Sequence, residues 1–228
     1  MSNIWYISPS NQHANMGVGD YGSEKEQMNL LTDDILPYLD RAGVRYHRGH
    51  PDITIEQRVK ESNEMEACFH LSLHSNAGGK GMARGPVAYY YSETGRKFSE
   101  KMIAALLELG QENNRWKNSK QETGFYELKR TAAPACLLEV DFHDSVSGVE
   151  FLTKRRTDIA KAIAKVIIEW DGKEYTDLTP KDPVDLCKEW GLFENVQDKA
   201  YWSDPMTRRQ VATLVVKFKE LLEKEVKS

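Results

Sequence analysis

Four side chains in this sequence have the types and placement to do hydrolytic chemistry: His13, Glu24, His74 and Glu139. Two imidazoles and one carboxylate form a common ligand set for catalytic zinc, with water at the fourth position. A further carboxylate, held off the metal, can take the proton of that water. Taken singly, each residue has a bland explanation: a histidine packs or hydrogen-bonds, and a glutamate opening a helix serves the helix dipole. Glu139 is harder to dismiss. It stands in the apolar run Cys136-Leu137-Leu138-Glu139-Val140, where an unpartnered carboxylate is costly to bury.

The elements expected around these residues place them together. Ile4-Trp5-Tyr6-Ile7 reads as a strand entering a loop that holds His13. Ser23 is a good N-cap, Glu26 follows at capping-box spacing, and a helix is expected from Glu24 to about Ala42. Met28, Leu31, Ile35 and Leu39 supply its apolar stripe, while Pro37 predicts a kink or two helices in succession. Val44-Arg45-Tyr46 begins a second strand, and Thr54 to about Met65 a shorter helix. Cys68 to His74 and Pro86 to Tyr91 are the third and fourth strands, and Lys97 to Leu109 is helical. The polar stretch Gln111 to Thr123 reads as an exposed loop. Phe125 to Leu128 and Ala135 to Val140 read as the last two strands, and Ile159 to Trp170 as the closing helix. This alternation predicts an α/β fold, a mostly parallel twisted sheet flanked by helices on both faces. In such sheets ligands sit at the carboxyl ends of the strands, where all four residues fall.

Spacing removes one competitor. His70 and His74 point to the same face of their strand but lie roughly 13 Å apart, at about 3.3 Å per residue. One ion cannot hold both, and His70 reads as structural. His47 and His50, in the loop after the second strand, read as surface or rim residues that could replace His13. His143, just after Glu139, is a rival that could orient substrate or stabilise charge.

Several segments also match a known family. Leu71-Ser72-Leu73-His74-Ser75-Asn76-Ala77 and Pro134-Ala135-Cys136-Leu137-Leu138-Glu139-Val140-Asp141-Phe142 resemble the histidine strand and the glutamate strand of the zinc-dependent N-acetylmuramoyl-L-alanine amidases of type 3, found in bacterial autolysins and phage endolysins. Arg58 with Asn63, and Ser23-Glu24-Lys25 with Asn29, resemble further segments of that family, and the likeness spans about residues 3–170. The chain departs from the family's aspartate-proline-glycine-histidine-glycine opening, having Ser8-Pro9-Ser10-Asn11-Gln12-His13-Ala14-Asn15 instead. The resemblance implies one Zn²⁺ per chain held by His13, Glu24 and His74, with Glu26 as the alternative to Glu24. It implies Glu139 as general base, peptidoglycan as substrate, and Asn76, Arg130 and His143 as substrate contacts. The reaction implied is cleavage of the amide between N-acetylmuramic acid and L-alanine of the stem peptide. A zinc peptidase cutting within the stem peptide, or a non-catalytic wall-binding protein, would be the alternatives.

Composition agrees with an ordinary globular protein. The 228 residues are 40% hydrophobic and 29% charged, with a net charge of −4, so no basic face points to nucleic acid. Apolar runs are too short to span a bilayer. The beginning MSNIWYISPSNQHAN has no basic-then-apolar pattern, so the expectation is a protein made in the cytoplasm that acts on the wall after release. Cys68, Cys136 and Cys187 are too scattered for a disulfide framework; Cys68 and Cys136 are expected as buried thiols. No glycine–x–serine–x–glycine elbow is present, and Gly17 to Gly22 lies too far after the first strand for a dinucleotide loop.

The domain expectation is 1–171 for the catalytic part, 172–183 for a linker and 184–228 for a small helical domain. Trp190-Gly191-Leu192-Phe193 and Asp204 to Ala212 resemble part of a surface-layer-homology motif. Trp190, Tyr201, Trp202 and Arg208 are its candidate wall-binding residues.

Overall fold

The structure, a computed structural model, describes residues 3–78, 81, 83–110 and 118–176, all within one compact unit, Met1–Asp177. The expected linker from 177 onward, the two later helices, and Trp190, Tyr201, Trp202 and Arg208 lie outside the described residues.

The elements run β1 (Trp5–Pro9), α1 (Glu24–Arg41), β2 (Tyr46–Arg48), α2 (Ile55–Glu64), β3 (Phe69–Asn76), β4 (Val87–Tyr90), α3 (Glu93–Leu107), β5 (Ser119–Gln121), α4 (Tyr126–Arg130), β6 (Ala135–Phe142), α5 (Val146–Lys154) and α6 (Arg156–Trp170). The six strands form one sheet in the order β2-β1-β3-β6-β4-β5. All neighbours are parallel except β4, which runs antiparallel to β6. The mostly parallel sheet is as expected. β4 and β5 therefore run opposite to the other four strands, and β4 borders β6 on the side away from β3, which brings His74 against Glu139.

Alternation along the strands sorts two faces. Trp5 and Phe69 stack at 5.0 Å, and Phe69 meets Phe98 of α3 at 4.4 Å and Trp170 of α6 at 6.3 Å. That face is apolar and carries the aromatic core. The other face presents Tyr6, Ser8 and His70 toward α2 and α4. Tyr6 Oη donates to Glu61 at 2.6 Å, and Ser8 Oγ donates to Glu127 at 2.6 Å. His70 Nε2 lies 2.8 Å from Glu127 Oε1 and stacks on Tyr6. His70 is thus tied into the interior.

Helix ends follow their caps. Ser23 accepts from Glu26 N at the start of α1. Thr54 and Gln57 close a reciprocal capping box on α2, which satisfies two backbone donors that the first turn leaves without partners. Pro37 does not divide α1, which is one helix of 18 residues. Three readings change. Phe125 to Leu128 is not a strand, because Tyr126–Arg130 winds into the short helix α4 that buries Glu127 and Leu128. Within the expected loop, Ser119–Gln121 pairs with β4 as a polar edge strand. Helix α5, capped by Ser145 on Gly148 N, had no counterpart in the expectation. Of the cysteines, Cys136 is buried, where the lack of solvent pushes its thiol up to about 12, and Cys68 is half-buried. Among the described residues no helix is long and apolar enough to cross a membrane.

Candidate functional site

The site forms where β1, β3 and β6 end and α1 begins. His74 lies buried near the carboxyl end of β3 and is in register with Glu139 on β6. Glu24, the first residue of α1, is buried, and its Oε1 lies 2.7 Å from His74 Nδ1. The helix N-terminus favours a carboxylate there. Glu26, two residues on, is exposed; the turn of about 100° per residue separates them, so Glu24 is the glutamate that faces His74.

The loop between β1 and α1 supplies amides. Gln12 Nε2 lies 3.3 Å from His74 Nδ1, and Asn15 Nδ2 donates to Glu24 Oε2 at 2.9 Å. Asn15 Nδ2 also donates to the Gln12 amide oxygen, and the Asn15 carbonyl accepts from Glu24 N at 2.8 Å. His13 is not brought to the pair. Its side chain is exposed and lines an open groove of about 540 Å³ with Asn11, Asn15, Lys25 and Ile53. The main-chain N–H of His13 bonds to the Asn11 carbonyl at 3.0 Å, a tight turn in which consecutive side chains diverge. Gln12 and His13 are both exposed on this groove, but the Gln12 amide reaches back to His74 while the His13 ring does not.

Glu139 differs from its neighbours. It is half-buried as a residue, yet its Oε2 is enclosed and has no hydrogen-bond partner among the described residues. Burial pushes its carboxyl up to about 7; the charge of His74 opposes this and that of Glu24 adds to it. Glu24 goes the other way. Burial alone would raise it, but hydrogen bonds from His74, Asn15 and Ser10 and the charge of His74 hold it below the usual range. For His74, burial lowers the pKa, and the carboxylates of Glu24 and Glu139 more than reverse that.

The expected substrate contacts divide. Asn76 ends β3, and its carbonyl accepts from His143 N at 2.8 Å. His143 is buried and held fast. Its Nδ1 lies 2.9 Å from Ser75 Oγ, which accepts from Tyr21 Oη at 2.8 Å, and the Tyr21 ring stacks on the imidazole. Gly17 lets that ring approach, since a Cβ there would stand 2.3 Å from Tyr21 Cδ1. Arg130 does not join the site. Its carbonyl accepts from Asn63 Nδ2, at the end of α4 just before β6 begins, so it stands by the amino ends of the strands. The residues that sequence reasoning missed are Gln12 and Asn15. Their signal was proximity to His13 in the loop, but amides do not register as ligand types.

Glu24 and His74 fit a divalent cation by donor chemistry: a carboxylate and an imidazole nitrogen, buried and within a hydrogen bond of each other, beside an orphaned carboxylate oxygen. The described residues contain no cluster of three His, Cys, Asp or Glu that would close such a site.

A mostly parallel six-stranded sheet with a buried carboxylate–imidazole pair at the carboxyl ends of its strands defines an α/β domain. The chain belongs to the N-acetylmuramoyl-L-alanine amidase family (Amidase_3), whose profile it matches over residues 11–169. It is 26% identical over 157 residues to the germination-specific N-acetylmuramoyl-L-alanine amidase of Bacillus subtilis (strain 168), covering 67% of this chain and 65% of that one. It is also 26% identical over 156 residues to the N-acetylmuramoyl-L-alanine amidase CwlM of Bacillus licheniformis, covering 64% and 59%. The match therefore spans a little under two thirds of the length of these relatives. In fold it resembles the N-acetylmuramoyl-L-alanine amidase AmiC2 of Nostoc punctiforme, with a TM-score of 0.66 and 20% identity over 73% of this chain and 96% of that one.

Proposed function

We propose that the protein hydrolyses the amide between N-acetylmuramic acid and the L-alanine of the peptidoglycan stem peptide, with Glu139 as general base and Zn²⁺ as cofactor. The observation that carries this reading is the enclosed, partnerless Oε2 of Glu139 beside the Glu24–His74 pair. A carboxyl poised near neutrality is suited to accept and return a proton at working pH. Glu24 and His74 would hold the ion. A bound Zn²⁺ supplies a Lewis acid for the scissile carbonyl and makes a nearby water more acidic.

Glu139 takes one proton from the attacking water as its oxygen bonds to the carbonyl carbon. It then gives that proton to the L-alanine nitrogen as the carbon–nitrogen bond breaks, and the base is regenerated. Asn76 and the immobilised His143 border the path of the substrate. The groove that His13 lines leads away from the pair and gives the substrate chain a place to lie.

Mass spectrometry of digested peptidoglycan tests the bond that is cut. The expected products are glycan strands carrying free lactyl carboxyls and stem peptides with a free L-alanine amino terminus. Fragments cut within the stem peptide would instead mark a peptidase. We also propose that Trp190, Tyr201, Trp202 and Arg208 contact wall polymer. The full chain should co-sediment with purified walls, and Trp190→Ala with Trp202→Ala should reduce the bound fraction.

A further inference from the structure

Resting on that reading of a metal hydrolase, we infer that the third protein donor to the ion is the side-chain amide oxygen of Gln12, and that His13 is not a ligand. Three observations support it. First, the Gln12 amide is the side chain of the β1–α1 loop that meets the imidazole of the pair, 3.3 Å from His74 Nδ1, whereas Asn15 meets its carboxylate. Donor atoms around a four-coordinate zinc at about 2.0–2.1 Å lie roughly 3.3–3.4 Å from one another by tetrahedral geometry. The spacing of the Gln12 amide from the imidazole nitrogen matches that edge. Second, Gln12 and His13 both stand exposed on the groove wall, joined by a tight turn, and of the two it is the Gln12 side chain that lies against His74. Moving His13 inward would require the turn to be rebuilt. Third, Asn15 is placed to hold the amide. It already contacts both Gln12 and Glu24.

As drawn, Gln12 Nε2 faces the imidazole and Oε1 faces Asn15. The two ends of an amide are nearly isosteric, and their assignment follows the local hydrogen bonds. A cation between Glu24 and His74 repels Nε2–H and attracts Oε1, so the amide turns over. Asn15 Nδ2 serves both Gln12 Oε1 and Glu24 Oε2, so Asn15 would shift with that amide, Oδ1 accepting from Gln12 Nε2 while Nδ2 keeps Glu24. The glutamine is thereby fixed with its oxygen toward the ion, as outer partners fix the ligands of other metal sites.

The inference has a chemical consequence. One imidazole, one carboxylate and one amide oxygen form a harder donor set than two imidazoles and a carboxylate. Carbonyl and carboxylate oxygens suit manganese and similar ions, whereas imidazole suits zinc. This chain should therefore hold zinc less tightly than a two-histidine site would.

The test is direct metal binding by the full chain, followed by elemental analysis and by competition with a chromophoric chelator, so that no activity measurement is needed. His13→Ala should keep one zinc per chain with its dissociation constant unchanged within about 2-fold. Gln12→Ala should weaken binding by at least roughly 10–100-fold, the loss that removing even a supporting partner of a ligand gives. Gln12→Glu is the decisive variant. It has the same shape, offers oxygen at both positions and adds a charge, so it should bind zinc at least as tightly as the unaltered chain. If Gln12 only donates a hydrogen bond to His74, Gln12→Glu will behave like Gln12→Ala, and the inference fails. It also fails if His13→Ala releases the ion while the unaltered chain retains it, a result that leaves the metal hydrolase reading intact. An unaltered chain that holds no zinc overturns both.

Discussion

Two glutamates, Glu127 and Glu139, lie in the same domain and are shifted in opposite directions from the ordinary carboxylate value. Glu127 on α4 accepts from Ser8 Oγ and meets His70 Nε2, both on its Oε1. The Arg58 guanidinium stands one bond away, donating to Ser8 Oγ at 3.1 Å. Burial would raise Glu127, but the hydrogen bond and charge of His70, with His74 and Ser8 assisting, hold it at about 2. Glu139, half-buried as a residue, has an enclosed Oε2 with no hydrogen-bond partner among the described residues, and burial pushes it up to about 7. Desolvation is common to both; what differs is the number of groups that stabilise the anion. A carboxylate supplied with donors behaves as part of the frame, whereas one deprived of them remains free to exchange a proton.

The sharpest way to break this contrast is to neutralise each glutamate. Glu139→Gln should lower turnover by roughly 10²–10⁴-fold while the melting temperature and bound zinc stay unchanged. Loss of zinc instead would make Glu139 a ligand. Glu127→Ala should do the reverse, destabilising the fold by about 3–5 kcal/mol, the usual cost of removing one member of a buried ion pair. Denaturant unfolding would measure it, and a loss under about 1 kcal/mol would show that the Arg58–Ser8–Glu127–His70 cluster contributes little.

The pH dependence should separate the two next, in the metal-free chain. Glu127 in the folded protein lies below its ordinary value of 4.5. Its stabilisation is complete above 4.5 and is lost as pH falls toward about 2. Glu139 lies above 4.5, so the folded state holds an extra proton between about 4.5 and 7. Its contribution is complete below 4.5 and is lost as pH rises through about 7. Glu139→Gln should flatten that second slope and leave the acid limb alone. A cation bound beside Glu139 should pull its value down, which a carboxyl titration followed by NMR with and without zinc would register. The smallest expected effect belongs to Ser8→Ala. It removes one donor to Glu127 and one acceptor for Arg58, at about 1–3 kcal/mol, with turnover unaltered.

Much of this arrangement could be read from the sequence, for physical reasons that also explain the failures. His74 and Glu139 were legible because apolar runs with period-two or continuous patterning fix strands, and polar residues at their carboxyl ends stand out. Glu24 was legible because Ser23 fixes where α1 starts, and Met28 and Leu31 fix which side of it turns inward. Ser119–Gln121 carried no apolar signal because an edge strand of Ser-Lys-Gln pairs through its backbone with β4 and has no apolar side chain to bury. Phe125 to Leu128 misled because a short apolar stretch fits a strand or a turn of helix equally well. His13 was chosen by residue type, but a turn of the main chain decides which of two adjacent side chains reaches His74, and that geometry is not written in residue types. Arg130 enters only through the family resemblance, and it stands just before β6, where the chain enters that strand at the far end from His74.

The residues after α6 bear on how such domains can be recombined. Trp5 Nε1 donates to Asp171 Oδ1 at 3.0 Å, and Tyr175 stacks on Tyr38 of α1 at 6.3 Å. Asp171 and Tyr175 thus act as a clasp between the last helix and the first strand and helix, although Tyr175 lies in the segment whose sequence reads as a linker. A seam for grafting a foreign segment onto this domain belongs after residue 176. A cut at residue 170 would leave the indole of a core tryptophan without its acceptor. Evolutionary shuffling that respects the fold would be held to the same boundary, so the clasp sets the unit that can be inherited intact.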